Sequence, residues 1–142
     1  MVACNSKSPS GKISAMQKRV DAVERRVEEL YNQEFNELVK DYQLLDTTIA
    51  MNKDIQAEME LLQAYLQQFE SQRIVIKENV KFSRKQLSDL KDDVENNLYD
   101  EATTEKYIRD EEKELRMMEA QIKYFKEKFD GQKKVVKQLR KE

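Results

Sequence analysis

Residues 55–94 read "IQAEMELLQAYLQQFESQRIVIKENVKFSRKQLSDLKDDV", a stretch of 40 residues that contains neither glycine nor proline. Apolar side chains recur in it at alternating steps of four and three residues, the spacing that aligns them along one face of an α-helix. This apolar stripe consists of Ile55, Met59, Leu62, Leu66, Phe69, Ile76, Val80, Leu87, Leu90 and Val94, with Arg73 and Ser83 at two of its positions. The pattern predicts one long amphipathic helix, whose apolar face must be buried against other helices.

The segment after this helix carries the best-marked turn in the chain. In "ENNLYDEATTEKY" (95–107), Asn96 or Asn97 can take the left-handed conformation that ends a helix, and Asp100 can cap the next helix. A second stripe then follows and consists of Ile108, Glu111, Leu115, Met118, Ile122, Phe125, Phe129, Gln132, Val136 and Leu139. The two helices should therefore form an antiparallel pair in which Val80 faces Met118.

A third stripe lies upstream of residue 46. It consists of Ile13, Met16, Val20, Val23, Val27, Leu30, Tyr31, Phe35, Leu38, Tyr42 and Leu45. Its phase slips where Val27, Tyr31 and Phe35 follow one another at steps of four. Such a slip is expected to unwind a supercoil locally without ending the helix.

The stripe is interrupted between residues 46 and 54, where the chain reads "DTTIAMNKD". Its Asp, Thr and Asn side chains compete for backbone hydrogen bonds and favour a turn, although neither glycine nor proline enforces one. A turn near residue 50 places Leu38 opposite Leu62 and closes a three-helix bundle. Without the turn, residues 13–97 would form one rod about 125 Å long, and its first third would need a second copy or a partner.

These patterns predict an all-α fold: an elongated antiparallel helical bundle or coiled-coil hairpin with three long helices at about 13–46, 54–97 and 101–140. Residues 1–12 are expected to be a disordered tether, and residues 13–142 a single helical domain. Ser14 and Gln17 form a weak capping box at the start of the first helix.

Several apolar positions are doubled, and we expect both members of each doublet to fill a wide interhelical interface. The doublets are Leu61 with Leu62, Tyr65 with Leu66, Met117 with Met118, Tyr124 with Phe125, and Val135 with Val136.

Composition excludes several classes of function. The 142 residues include no histidine, so the commonest general base and metal ligand is absent. Glycine occurs only at positions 11 and 131, which excludes a glycine-rich phosphate loop. Charged residues make up 38% of the chain, but 26 basic and 28 acidic side chains leave a net charge of only −2, so no overall field favours nucleic acid. We therefore expect no enzyme activity, no cofactor, no metal site, no nucleic-acid partner and no small-molecule substrate.

Two clusters of like charge stand out in this balanced composition. Acidic residues surround the turn near residue 98, where they form either a weak site for a cation or basic partner, or an ordinary solvated helix end. Residues 123–142 contain eight basic and three acidic residues. Their candidate contacts to an anionic partner, such as lipid head groups, are Lys133, Lys134, Lys137, Arg140 and Lys141, although cations at a helix C-terminus are also expected from the helix dipole.

The chain begins "MVACNSKSPSGK", with its one cysteine at position 4. Small residues before a cysteine, followed by a short Ser, Lys, Pro and Gly tether, resemble the end of a bacterial lipoprotein signal peptide. The resemblance covers about ten positions and implies that Cys4 becomes the lipidated first residue of the mature protein; the basic and apolar regions of such a signal would lie upstream of Met1. Asn5, rather than aspartate, after the cysteine implies a periplasm-facing outer-membrane location, and "DTT" at 46–48 resembles the O-glycosylation acceptor of Bacteroidota secreted proteins.

The sequence thus predicts a non-catalytic structural or interaction protein, a lipid-anchored coiled coil of the bacterial cell envelope that acts as a spacer, adaptor or assembly subunit. Its partners would be proteins or further copies of itself, and a membrane through the lipid on Cys4. The alternative is a holdase-like chaperone or cytoplasmic coiled-coil adaptor that binds clients between its helices. That alternative predicts self-association and exposed apolar grooves at residues such as Met117 and Tyr124.

Overall fold

The computed structural model describes residues 8–48 and 53–141, and within these ranges the chain is helical apart from Ser8 and the turn at 96–100, with no strand. Helix α1 spans Pro9–Glu29, a π-helical turn spans Leu30–Phe35, and α2 spans Asn36–Thr48. Helix α3 spans Lys53–Glu95, and α4 spans Glu101–Lys141. The all-α prediction is confirmed, and the helix boundaries lie within a few residues of those predicted.

The first helix begins earlier than the capping box predicts. Ser8 caps it, because its Oγ accepts a hydrogen bond from the Gly11 amide at 3.0 Å, and the Lys12 amide donates to the Ser8 carbonyl. Pro9 takes the first helical position, where its missing N–H has no intrahelical partner to lose. Residues 9–12, expected in the tether, are therefore helical, and the predicted cap at Ser14 is wrong because it lies inside α1.

The phase slip in the first stripe is absorbed by the π-helical turn. The buried residues on either side of it are out of step by one residue, and a turn closed by i→i+5 hydrogen bonds accommodates one residue more than an α-helical turn. Leu30 and Tyr31, although adjacent, are both buried. The helix continues, as expected, but a π-helical turn rather than an unwound supercoil restores the register.

The chain folds into two compact units. The first contains residues 8–25 and 76–121, and the second contains the described residues between 26 and 75 together with 122–141. Each unit is built from one segment of the α1–α2 region, one of α3 and one of α4. The stripe residues of these segments form the core of each unit, and most of them are less than 9% exposed.

In the first unit, α3 and α4 are antiparallel. Ser83 Oγ lies 3.9 Å from Met118 Sδ, which agrees with the predicted pairing of these helices. On another side of α3, the Arg84 guanidinium bonds to Asp21 at 2.8 Å and to Glu24 at 2.7 Å on α1. Thr104, which the stripe did not include, is also buried and extends the apolar face of α4 by one turn.

The turn between α3 and α4 forms as predicted. Asn97 has a φ of 56°, and the Leu98 and Asn97 amides donate to the Asp93 and Val94 carbonyls, the two bonds of a Schellman motif. Asp100 caps α4 by accepting a bond from the Thr103 amide at 2.7 Å. An asparagine suits position 97 because asparagine tolerates the left-handed conformation better than most other non-glycine residues.

In the second unit, aromatic rings form the centre of the core. Phe129 is 0% exposed, and its ring centroid lies 4.8 Å from that of Phe69, 5.7 Å from that of Tyr31 and 5.8 Å from that of Phe35. The Tyr31 hydroxyl donates to the Phe69 carbonyl of α3 at 2.6 Å, and burial raises the pKa of Tyr31. Because Tyr31 packs on α3 of its own chain, residues 13–97 cannot be one continuous rod, and that alternative is wrong.

The interruption at 46–54 lies partly outside the described residues. Helix α2 ends at Thr48 and α3 begins at Lys53, so the polar cluster coincides with the boundary between two helices. The centre of the predicted turn, residues 49–52, is not among the described residues.

The prediction that both members of each apolar doublet pack between the helices is wrong for three doublets. Leu61 is 52% exposed, Met117 58% and Tyr124 49%, whereas their neighbours Leu62, Met118 and Phe125 are buried. Adjacent residues of a helix point about 100° apart, and the core-facing stripe of each helix takes only one of the two.

Candidate functional site

Cys4, the predicted lipidation site, lies outside the described residues, as does the rest of the lipoprotein-like stretch up to Lys7. Within residues 8–48 and 53–141, none of the helices has the length and apolarity needed to span a bilayer.

The basic C-terminal residues are only partly available for an anionic partner. Lys133 lies 3.7 Å from Glu37, and Arg140 lies 2.9 Å from Asp41, so both bind carboxylates of the same chain. Lys134 and Lys137 are exposed and form no ion pair with the described residues. The side chain of Lys141 is outside the described part of the chain.

A column of charged residues on α4 explains this arrangement. One heptad position of α4 holds, in order, Glu112, Glu119, Lys126, Lys133 and Arg140. In the first unit its two glutamates bind Arg19, at 2.7 Å and 2.5 Å. In the second unit its three cations bind Glu34, Glu37 and Asp41.

Within each unit, these ion pairs align its segment of α4 parallel to its segment of the α1–α2 region. The hydrogen-bonded partners are separated by 92 to 100 residues along the chain wherever they occur. In two parallel helices, the residue numbers of facing residues differ by a nearly constant amount. In two antiparallel helices, these numbers have a nearly constant sum. Exposed pairs contribute about 0.2–1 kcal/mol each, so the column selects the register more than it stabilises the fold.

Arg19 is the best-connected member of the network. Hydrogen bonds to Glu119 and then to Glu112 raise the pKa of the Arg19 guanidinium, and the bond from Arg19 lowers the pKa of Glu112. This column was not predicted from the sequence, because the C-terminal basic residues were interpreted as contacts to an anionic partner or as cations that suit the end of a helix. The seven-residue recurrence of charge beside the apolar stripe was the available signal.

The acidic residues near the α3–α4 turn serve local structure. Asp93 accepts a hydrogen bond from the Tyr99 hydroxyl at 3.1 Å, which raises the pKa of Tyr99. The bonds from Thr103 lower the pKa of Asp100. In the described part of the chain, no group of three or more acidic or cysteine side chains is arranged to hold a metal ion. Asp93 and Asp100 thus make local hydrogen bonds at the ends of the two helices.

Glu111 is the exception, because it occupies a stripe position and is partly buried. Burial, followed by the nearby Glu114 and Asp110, raises its pKa. The folded state therefore binds a proton more tightly than the unfolded chain does, so this group destabilises the fold at neutral pH, and the effect disappears as the pH falls through its folded-state pKa.

We expect Glu111→Gln to raise the free energy of unfolding at pH 7 by less than about 1 kcal/mol, because the residue is partly solvated. The difference from wild type should shrink as the pH is lowered from 7 towards 4. Urea unfolding followed by circular dichroism at several pH values measures it. Glu105→Gln, an exposed change on the same helix, serves as the control, and a Glu111→Gln gain that does not depend on pH would contradict the burial effect.

The second unit carries an open depression of about 540 Å³. It is lined by Asn32, Gln33, Asn36, Glu37, Val39, Lys40 and Gln43. All seven lie on the π-helical turn and α2, so one helical region forms the whole depression. An open concavity of this kind excludes little water from a bound molecule, which does not favour chemistry at this place.

Exposed apolar side chains are the most distinctive surface feature. Those with large exposed fractions are Leu44 (53%), Leu61 (52%), Ile74 (63%), Val75 (45%), Phe82 (61%), Leu98 (63%), Tyr107 (38%), Met117 (58%) and Tyr124 (49%). Phe82 directly precedes Ser83, and Met117 directly precedes Met118. Ser83 and Met118 are in contact between α3 and α4 of the first unit. Their side chains offer apolar area that the core does not use.

Comparison of the chain with protein-family models, with curated proteins and with solved structures finds no match.

Proposed function

We propose that this protein is a non-catalytic interaction protein of the bacterial envelope, attached to a periplasm-facing outer membrane through a lipid on Cys4 and acting as a spacer, adaptor or assembly subunit. The observation that carries the proposal is the exposure of Phe82 and Met117 in the first unit. Large apolar side chains that lie together on a surface mark sites that bind other proteins, because covering them removes apolar area from water, at about 25 cal/mol per Å².

Binding should occur on the outside of the helices. The interior of the second unit is filled by its own aromatic rings, with centroid separations of 4.8 to 6.5 Å. Interhelical ion pairs and well-capped helices keep the outer surface in one arrangement, which lowers the entropy lost when a partner binds.

The proposed anchor would lie close to the folded chain. Helix α1 is capped at Ser8, four residues after Cys4. Four extended residues span at most about 14 Å. A lipid on Cys4 would therefore hold the start of α1 within about 14 Å of the membrane surface.

Intact-mass analysis of the protein, expressed from its native locus and taken from the membrane fraction, tests the anchor. We expect a chain that begins at Cys4 and carries the added mass of acyl chains. Replacing Cys4 with Ser should move the protein to the soluble fraction. An unmodified soluble chain that retains Met1 would refute the anchor and leave the interaction surface to be tested separately.

A photo-crosslinking amino acid in place of Met117 tests the interaction surface in cells. We expect discrete crosslinked products, whose second component is identified by mass spectrometry and confirmed by the reciprocal crosslink. The same amino acid at Lys113, an exposed polar position of α4, is the matched control. Equal crosslinking at both positions would contradict a specific apolar contact at Met117.

A holdase-like chaperone or cytoplasmic coiled-coil adaptor is the second candidate, and the exposure of Met117 and Tyr124 favours it. Here too the packed interior favours binding on the outer surface over binding between helices. This function predicts that the protein suppresses aggregation of a heat-denatured reporter enzyme, and that Met117→Glu or Tyr124→Glu reduces the effect. Wild-type protein without any suppression would reject this candidate.

A further inference from the structure

Helix α3 carries a second stripe on the side opposite its core-facing one. Within the second unit, this outer stripe consists of Ala57, Leu61, Ala64, Gln68, Ser71 and Val75, which follow one another at steps of four and three. All six are exposed, Leu61 by 52% and Val75 by 45%. The steps are those of a coiled-coil seam, so the stripe has the geometry needed to bind another helix along its length.

The outer stripe carries no charge, although 38% of the residues in the chain are charged. It alternates small side chains with larger ones: Ala57, Ala64 and Ser71 recur every seven residues, between Leu61, Gln68 and Val75. Ser71 donates its hydroxyl to the Gln67 carbonyl at 3.1 Å, so its one hydroxyl proton is already bonded within the helix. The stripe can therefore enter an interface without leaving that proton unpaired.

We infer, on the basis of the proposed function, that the outer stripe is the contact between two copies of this chain. Their α3 helices pair antiparallel around a twofold axis near residue 66. In this register Val75 packs on Ala57 of the second copy, Leu61 on Ser71, and Gln68 on Ala64. Every layer then combines one larger and one small side chain, which gives an even, close helix spacing. A parallel pair would instead place Leu61 on Leu61 and Ala64 on Ala64, in layers of unequal width.

The flanking residues agree with the antiparallel register. Glu58 lies opposite Gln72 of the second copy, and Glu60 lies opposite Ile74, so neither glutamate meets another carboxylate. Tyr65 lies beside its own symmetry mate. Ile74, which is 63% exposed in the single chain, gains a neighbour in the dimer. The flanks therefore add no like-charge repulsion to the seam.

The size of the stripe sets the strength of the contact. It spans about 27 Å at 1.5 Å per residue and is about one helix diameter, 10 Å, wide. Such a contact lies near or below the lower limit of about 1,200 Å² for stable interfaces. We therefore expect a dimer that forms and dissociates with concentration in the micromolar to millimolar range.

Sedimentation equilibrium of the purified full chain with Cys4→Ser tests the dimer, from about 1 μM to 1 mM. We expect the mass to rise from one chain to two, and Ala64→Glu to weaken association at least tenfold because a charged side chain replaces a small one at the seam. Ala120→Glu, an equivalent change at an exposed position of α4, should leave association unchanged. Circular dichroism should show equal helix content in all three proteins. A mass of one chain throughout would overturn the inference.

Disulfide crosslinking in the same Cys4→Ser background tests the register. Under mild oxidation, a mixture of Leu61→Cys and Ser71→Cys chains should form a mixed disulfide, because the two positions face each other across copies. Leu61→Cys alone should crosslink poorly, since its mates lie about ten residues, or 15 Å, apart along the seam. Efficient crosslinking of Leu61→Cys alone would overturn the antiparallel register. Because Met117 lies outside the outer stripe, neither result alters its crosslinking to other proteins. The dimer contact and the protein-binding surface at Met117 can therefore fail separately.

Discussion

Deleting Glu78 from α3 will unfold the protein, whereas deleting Glu29 from the end of α1 will leave it folded. Both residues are exposed, so the difference comes from the register of the buried stripe. Losing one residue from an α-helix rotates everything beyond it by about 100°. In α3 this rotation turns one part of the buried stripe away from the core. That part consists either of the buried residues before Glu78 or of those after it, which lie between Val80 and Leu90.

The expected effects differ by several kcal/mol. Each large apolar side chain removed from the core destabilises the fold by about 1.5–3 kcal/mol. Even the three that follow Glu78, which are Val80, Leu87 and Leu90, would remove much of the stability of about 5–15 kcal/mol of a typical domain. The Glu29 deletion instead removes the one residue that the π-helical turn accommodates. An uninterrupted α-helix then keeps the stripe in phase, and only Leu30 leaves the core, at about 1.5–3 kcal/mol.

Circular dichroism and urea unfolding of the two deletion variants measure the effect. The Glu29 variant should unfold cooperatively at a reduced urea midpoint, and the Glu78 variant should show no cooperative transition. Equal losses of stability in both would mean that the π-helical turn does not restore the register.

Replacing Phe129 with Ala is expected to lower the free energy of unfolding by about 3–5 kcal/mol. Phe129 is fully buried and lies against the rings of Tyr31, Phe35 and Phe69, two of them at 88° edge-to-face angles. The substitution removes these ring contacts, worth about 0.5–1.5 kcal/mol per pair, and leaves a cavity among side chains that cannot all move into it.

Phe82→Ala provides the matched control, because it deletes the same atoms from a side chain that is 61% exposed. Its effect should lie within about 0.5 kcal/mol. The comparison requires urea midpoints and slopes for both variants at low micromolar concentration. Similar losses for the two would contradict the central position of Phe129 in the core.

The apolar spacing alone determined the secondary structure and the core. Steps of three and four residues allow burial of one face only as helices, and of the predicted stripe members Phe69, Leu87, Leu115 and Phe129 are each no more than 2% exposed. The α3–α4 turn was also predictable, because Asn97 and Asp100 act through bonds to residues within five positions of themselves. Such local interactions need no knowledge of the rest of the fold.

The candidate surface was less predictable than the core. The sequence marked Met117 and Tyr124 as apolar, but whether they enter the core depends on how far the neighbouring helices wrap around α4. Likewise, the sequence placed Lys133 and Arg140 in a basic cluster, and their pairing with Glu37 and Asp41 follows only once α4 lies parallel to α2. A charge pattern does not specify its partner when acids and bases are almost equal in number.

The sequence by itself thus determined that this chain is helical, which residues form the core-facing stripe of each helix, and where its second turn forms, because each follows from spacing or from bonds between near neighbours. Tertiary structure alone decided that a π-helical turn keeps Leu30 and Tyr31 buried together, that the Tyr31 hydroxyl bonds to the Phe69 carbonyl, and which apolar residues remain on the surface. These features depend on contacts between residues far apart in the chain, such as Tyr31 and Phe69, which are 38 positions apart. Their geometry exists only after the helices have packed.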